Sequence, residues 1–339
     1  MNLLVIGNGF DIAHGLRTSY SDFLNICLVD DKIHVLSKTE RNISELIHSK
    51  DILLKNKVRN NPWVKFFLKR RTEIGKNWVD FEREIKRVCE IVSSREDNNE
   101  FFKTNEHFLK DDRGIYFFAG KNGNIDIDCM KSKLKELIDM LNFYLLQLED
   151  LPIECQYQSI IDFGPTHVIN FNYTSTFLKQ YRSNISIDFV HGKTGVDTNS
   201  IVLGFDSLKT QEKDVEFAEF LKYFQMVNND IELNIHLGSK IHEINTIIFG
   251  HSLDKTDEDI IKDIIDNSSK ITLIYHSDGH KIQMIKNLID IYGKIKFNEL
   301  CLSRDKKIHF KKQGNPIDCN LFIKETNELF LKIIGGGAN

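Results

Sequence analysis

Residues 3–16 read LLVIGNGFDIAHGL, and the fold turns on the break at Gly7. Leu3, Leu4, Val5 and Ile6 are too few for a helix. They run continuously rather than alternating, which predicts a strand buried on both faces. Glycine turns tightly and lets backbone N–H groups approach a ligand. A buried strand that ends in Gly7-Asn8-Gly9 and passes into a helix is the usual form of a phosphate site, helped by the positive end of the helix. The stretch points to a nucleotide. Its plainer reading is a strand-to-helix turn, since two glycines one residue apart are a weak signal alone.

The rest of the chain narrows the classes open to it. At 339 residues it has room for two domains, or for one large domain with an insertion. Hydrophobic residues make up 41% and charged residues 28%, an ordinary balance for a soluble globular protein. The formal net charge of −4 supplies no global basic field, which argues against nucleic acid as the main partner. Cysteines 27, 89, 129, 155, 301 and 319 form neither a CxxC pair nor a Cys/His cluster at zinc spacing. They read as reduced thiols of a cytoplasmic protein. No apolar stretch approaches the roughly 20 residues of a membrane span, and the first apolar run is too short for a signal peptide.

Outward from the first strand the texture changes twice. The first strand–helix unit extends to about Asp30. Residues 31–150 then look almost wholly helical, with amphipathic stretches at 39–58, 61–92 and 128–151. Pro62 after Asn61 suits the first position of a helix. From Pro165 strands alternate with helices: THVINFN, SIDFVHG, SIVLGFD, NTIIFGHSL and KITLIYHS. The expectation is an α/β fold, a Rossmann-like, mostly parallel sheet made of 2–6, 167–172, 187–191, 200–205, 244–250 and 270–276. Residues 1–30 and 151–339 would form the core and 31–150 a large helical insertion, with a smaller helical excursion at 207–235. In open α/β sheets ligands sit at the carboxyl ends of the strands. Those ends carry Gly7 to Asp11, Asn172 to Thr174, His191-Gly192, Gly204 to Asp206 and Gly250 to Ser252, which implies one shared crevice.

GNGFDIAHGL resembles the first sirtuin motif, GAGxSxxxGIP, with the same spacing of glycines 7, 9 and 15. FNYT resembles the sirtuin TQNxD and the TxNYD of SIR2-like defence domains. VHG at 190–192 resembles their strand-plus-HG, and GHSLxxxD at 250–257 their late G-[YF]-S-x-x-D. The opening GNGFDxAHGLxTSYSDF is similar, more closely, to that of AbiH-type phage abortive-infection proteins. That family also carries an internal WxDxE, seen here as Trp78 to Glu82, followed later by FNYT and HG. The AbiH resemblance spans most of the chain, whereas the sirtuin-like one covers only the α/β part. Together they imply an NAD-binding fold whose bacterial members destroy NAD during infection. The chain departs from the sirtuin pattern at Asp11, where that pattern has Ser, and at Thr174, where it has Asp.

Each candidate also has a plain structural reading. Asp11 suits an N-cap as well as a ribose or metal contact. His14, three residues on, is either its neighbour at a site or a packed surface histidine. Asn172 and His191 are ordinary strand-end residues singly; as neighbours they match the sirtuin-like pair, with His suited to proton transfer near neutral pH. Trp78 and Glu82 share a helix face, with Asp80 turned away. His251 and Ser252 either line a pocket or cap the next helix.

The resemblance therefore implies a phage-defence effector that hydrolyses NAD+ to nicotinamide and ADP-ribose. Asn172 and His191 would be catalytic, and Gly7, Asn8, Gly9, Phe10, Asp11, Gly250 and Ser252 would bind NAD, with Phe10 and Phe205 as apolar walls. NAD enters as substrate and no metal is expected. Nucleic acid and membrane are not expected partners, and a second copy or a defence-system partner protein is left open. Two other classes stay open: a metal-dependent nuclease or phosphodiesterase using Asp11, His14 and Asp80 or Glu82, and a non-catalytic nucleotide sensor.

Overall fold

The computed structural model describes residues 1–27, 58, 60–73, 78–95, 100–149, 155–181, 184–195, 201–208, 215–232 and 243–317. The stretch 39–58 lies, Val58 apart, outside them. Six strands are present among these residues: β1 (Asn2–Ile6), β2 (His167–Asn170), β3 (Ser186–Phe189), β4 (Asn245–Phe249), β5 (Lys270–Tyr275) and β6 (Ile308–Lys312). They form one sheet in the order β3-β2-β1-β4-β5-β6, and every pairing is parallel. This is the doubly wound Rossmann order, with the direction of winding reversed between β1 and β4.

The described helices are α1 (Asn8–Ala13), α2 (Tyr20–Cys27), α3 (Pro62–Lys69), α4 (Trp78–Ser93), α5 (Glu100–Asn105), α6 (Ile127–Glu149), α7 (Gln158–Phe163), α8 (Thr176–Tyr181), α9 (Lys222–Asn228), α10 (Glu258–Asn267) and α11 (Asp278–Cys301). None is long and apolar enough to cross a membrane. The residues fall into two compact units. The first draws on Met1–Arg17, Glu149–Thr194 and Asp230–Thr326, the second on Thr18–Leu148 and Gly195–Asn229. The helical unit begins at Thr18 and takes in 195–229.

In the first unit, Leu3 to Ile6 are fully buried because both faces of the sheet are covered. Leu3, Val5, Ile169, Phe171 and Ile248 point to a layer that includes Ile261, Ile264, Met284 and Leu288 of α10 and α11. Leu4, Ile6, Val168 and Phe249 face the opposite layer, with Phe10, Ile160 and Phe177 of α1, α7 and α8. The edges are blunted, as exposed strands require. Edge strand β3 turns Asp188 inward to His167 Nε2 at 2.9 Å, and edge strand β6 ends in two exposed lysines.

The second unit is held by aromatic packing. Phe67 and Phe81 stack at 3.6 Å, and Tyr20 lies 4.5 Å from Phe81. Trp63 packs 4.4 Å from Phe118 and donates its Nε1–H to Met130 O at 3.0 Å. Asn61 caps α3, its Oδ1 accepting from Trp63 and Val64 N–H ahead of the expected Pro62 at the first position. Along α6, Met130, Leu134, Leu137, Leu141, Tyr144 and Leu148 are buried at the three- and four-residue spacing of an apolar stripe.

One expected strand is corrected. Residues 201–205 are buried, but they do not join the sheet. They lie in the second unit, where the Gln225 amide substitutes for a neighbouring strand. Its Oε1 accepts from Leu203 N–H and its Nε2 donates to Leu203 O, both at 2.9 Å. Phe205 exchanges bonds with Phe220 O and Lys222 N–H. The place at the sheet edge is taken by β6, whose two terminal lysines hide it from an apolar pattern search.

Candidate functional site

The turn after β1 is built against the turn after β4. Gly250 adopts a left-handed conformation, φ +73°, and a Cβ there would lie 2.0 Å from Phe10 N and 2.4 Å from the Gly9 carbonyl carbon. A Cβ on Gly7 or Gly9 would come within 2.8 Å of Gly250 or His251 backbone. Backbone bonds run across the contact, Gly7 N–H to Phe249 O at 3.1 Å and Gly9 N–H to Gly250 O at 2.8 Å, while Phe10 N–H closes on Gly7 O at 2.7 Å. The glycines therefore let two strand ends touch at the switch point, and two amides expected to face a phosphate, those of Gly7 and Gly9, are bonded within the chain. Phe10 is fully buried between Phe249, at 5.3 Å, and His14, at 4.2 Å. It is a core residue rather than a pocket wall. Phe205, the other expected wall, belongs to the second unit.

Asp11 is not an N-cap. It lies inside α1, whose N-cap is Gly7, and its carboxylate is buried among the loop after β2. Asn172 Nδ2 donates to Asp11 Oδ1 at 3.0 Å and to Gly7 O at 3.0 Å. Thr174 Oγ1 donates to Asp11 Oδ2 and lies 3.0 Å from Thr176 Oγ1. The loop is shaped by Asn170, which accepts from Asn172 N–H at 2.8 Å and donates to Thr174 O at 3.0 Å. Burial pushes the Asp11 carboxyl up to about 7, with the negative Glu149 adding to the rise and the Thr174, Thr176 and Asn172 hydrogen bonds opposing it. Glu149 accepts from Ser175 N–H at 2.6 Å and Thr194 Oγ1 at 2.7 Å, so it pins both sides of the site. Nothing local in the sequence marks it. Nor does anything local mark Thr174 as a partner of Asp11: the hydroxyl and the carboxyl stand exchanged relative to the sirtuin-like pattern, and they are bonded to each other.

His191 lies at the same edge in a second cluster. Its Nε2 is 3.1 Å from Asp257 Oδ1, and Asp257 Oδ2 is 3.5 Å from His251 Nε2. Phe171 packs its ring 4.2 Å from His251 and 5.7 Å from His191. Asp254 caps a short 3-10 turn, Lys255–Asp257, ahead of α10, and Asp257 at the N-cap of α10 makes no capping bond. Forgoing that bond costs about 1 kcal/mol. Leu253 in the same loop holds a positive φ of 57°, a strain of about 1–3 kcal/mol of the kind that gathers at functional sites.

Register places these residues. Asn170 pairs with Phe189 and Ile6 with both Asn170 and Phe249. His191, Asn172, Asn8 and His251 therefore each stand two residues beyond the last paired position of β3, β2, β1 and β4. Asn172 is bonded to Asp11, and His191 is bonded to Asp257. Ser252 is half-buried, and its carbonyl accepts from Asn287 Nδ2 at 2.9 Å. His14 is buried, with Nδ1 donating to Phe10 O at 2.7 Å and Nε2 accepting from Tyr181 O–H at 3.0 Å. Burial lowers its pKa to about 4, so it is a neutral core histidine. Glu82 pairs with Lys222 Nζ at 3.0 Å inside the second unit, and Asp80 with Arg83 at 3.5 Å. No group of three or more His, Cys, Asp or Glu residues able to hold a metal occurs among the described residues.

Residues 3–276 match the family described as bacteriophage abortive infection AbiH. No curated protein and no solved structure matches the chain.

Proposed function

The chain belongs to the AbiH family of bacteriophage abortive-infection proteins, and from that premise we propose that it acts by hydrolysing NAD+ to nicotinamide and ADP-ribose. One observation carries the reading. Asn172 and His191 follow adjacent strands by the same two residues, at the carboxyl edge of a Rossmann-order sheet, where ligands of such sheets bind.

Both Nδ2 hydrogens of Asn172 are committed to Gly7 O and Asp11, so its amide offers Oδ1 as an acceptor for water or a ribose hydroxyl. Water would attack the anomeric carbon as nicotinamide leaves with the bonding pair. His191 would take a proton from a ribose hydroxyl or from the attacking water. Gly7, Asn8, Gly9, Asp11, Gly250 and Ser252 would shape the dinucleotide's seat. Gly7 and Gly9 would act through the absence of side chains, because their N–H groups are already bonded.

The test is purified protein incubated with NAD+ and followed by chromatography for nicotinamide, with and without EDTA. EDTA-resistant nicotinamide release that falls roughly 100- to 10,000-fold in His191→Ala and Asn172→Ala is expected. EDTA-sensitive cleavage of RNA or DNA with NAD+ untouched would sink the reading, and so would tight NAD+ binding without turnover.

A further inference from the structure

We propose that Asp257 is the positioning residue for His191, holding the imidazole with its proton on Nε2 and its lone pair on Nδ1. The role of Nδ1 as the proton acceptor rests on the hydrolase reading, but the tautomer itself does not.

His251 fixes the direction of one of the two contacts to Asp257. Its Nδ1 accepts the Leu253 N–H at 3.0 Å, and an accepting ring nitrogen is unprotonated, so the proton of the neutral ring is on Nε2. That N–H faces Asp257 Oδ2 at 3.5 Å. The other oxygen, Oδ1, faces His191 Nε2 at 3.1 Å, and because imidazole is the more basic of the two groups the proton between them belongs to the ring. A neutral imidazole in front of a carboxylate oxygen keeps its hydrogen on the facing nitrogen, which puts the lone pair on the far one.

The setting protects this arrangement. The side chains of His191, His251 and Asp257 are 9%, 5% and 12% exposed, and Phe171 covers both rings. The backbone is committed to it as well. Asp257 holds the N-cap position of α10 without capping, and the loop that delivers it bends through left-handed Gly250 and Leu253. When a ribose hydroxyl gives its proton to Nδ1 the electron pair stays on the oxygen. The imidazolium formed faces Asp257, and the proton later leaves to water.

The experiment is 15N NMR of histidine-labelled protein at pH 8, without ligand, with His191 assigned by its loss in His191→Gln. The wild-type spectrum is expected to show a protonated Nε2 and a pyridine-type Nδ1 for His191; the opposite pattern would overturn the proposal whether or not any variant folds. In Asp257→Asn the amide donates to Nε2, so the tautomer inverts, and NAD+ turnover should drop roughly 100- to 10,000-fold in kcat. Asp257→Glu should keep the wild-type tautomer and recover part of the rate. A folded Asp257→Asn protein, judged by circular dichroism, whose His191 tautomer is unchanged would also overturn it. Inversion of the tautomer in a protein that never turns over NAD+ would support the positioning role and sink the hydrolase reading.

Discussion

Asp11 and His14 lie one turn apart in sequence, and burial disfavours the charged form of each. Burial drives the first up to about 7 and the second down to about 4, against roughly 3.9 and 6.5 in an unfolded chain. For Asp11 the folded state holds the extra proton between about pH 4 and 7, so its contribution to stability falls as pH rises through that window. For His14 the unfolded state holds the extra proton between about pH 4 and 6.5, so its contribution rises with pH. The two slopes oppose each other over the shared window. Denaturant midpoints at pH 4 to 8 test this as differences from wild type. Asp11→Asn, which keeps the shape and can still bond Asn172 and Thr174, should gain stability relative to wild type as pH rises from 4 to 7. His14→Gln should lose relative stability from pH 4 to 6.5. A pH-independent difference for Asp11→Asn would mean that the carboxyl is not perturbed.

At the scale of elements, the contact between the turns after β1 and β4 leaves no room for a side chain. Gly250→Ala must move Phe10 N or the Gly9 carbonyl carbon, and it also forces alanine into a left-handed conformation. A loss of about 3 kcal/mol or more is expected, seen as a drop of roughly 6 to 12 °C in melting temperature. A drop under 2 °C would mean that the turns can separate. Strands β1, β2, β4 and β5 were legible because buried parallel strands are short continuous apolar runs ending in Gly, Asn or His. The same rule misread 201–205: burial makes the run, and nothing in IVLGF says whether a strand or a glutamine amide will satisfy its backbone. Strand β6 escaped for the converse reason, since one side of an edge strand needs no apolar cover. Asn172 and His191 were legible as strand ends. Asp257 lay inside a motif already noted, but its partners come from a loop whose path only the fold defines. That the Gly7 and Gly9 amides are bonded within the chain was not legible either, because their acceptors, Phe249 O and Gly250 O, lie about 240 positions away.

For the whole molecule, the sheet gathers strands from three separate stretches of chain, while the helical unit occupies the intervals between them. Hydrogen exchange should reflect this order. Amides of β1, β2 and β4, paired on both sides, should exchange only by global opening. Those of β3 and β6, at the edges, should exchange at least about 100-fold faster through local opening. Equal protection of β6 and β1 by mass spectrometry would count against the strand order.

The central place of β1 also sets a condition on synthesis. Asn2 bonds to Thr166, 164 residues further along, and the other flank of β1 waits for β4. At a translation rate of roughly 5–20 residues per second, LLVI stays without either neighbour for about 8 to 33 s. Through that interval it is a fully apolar strand with two open edges, the form of backbone most apt to pair with another copy. Ribosomes crowded on one message would hold many such strands close together. The first strand is therefore paired on both sides only after β2 and β4 have both been made.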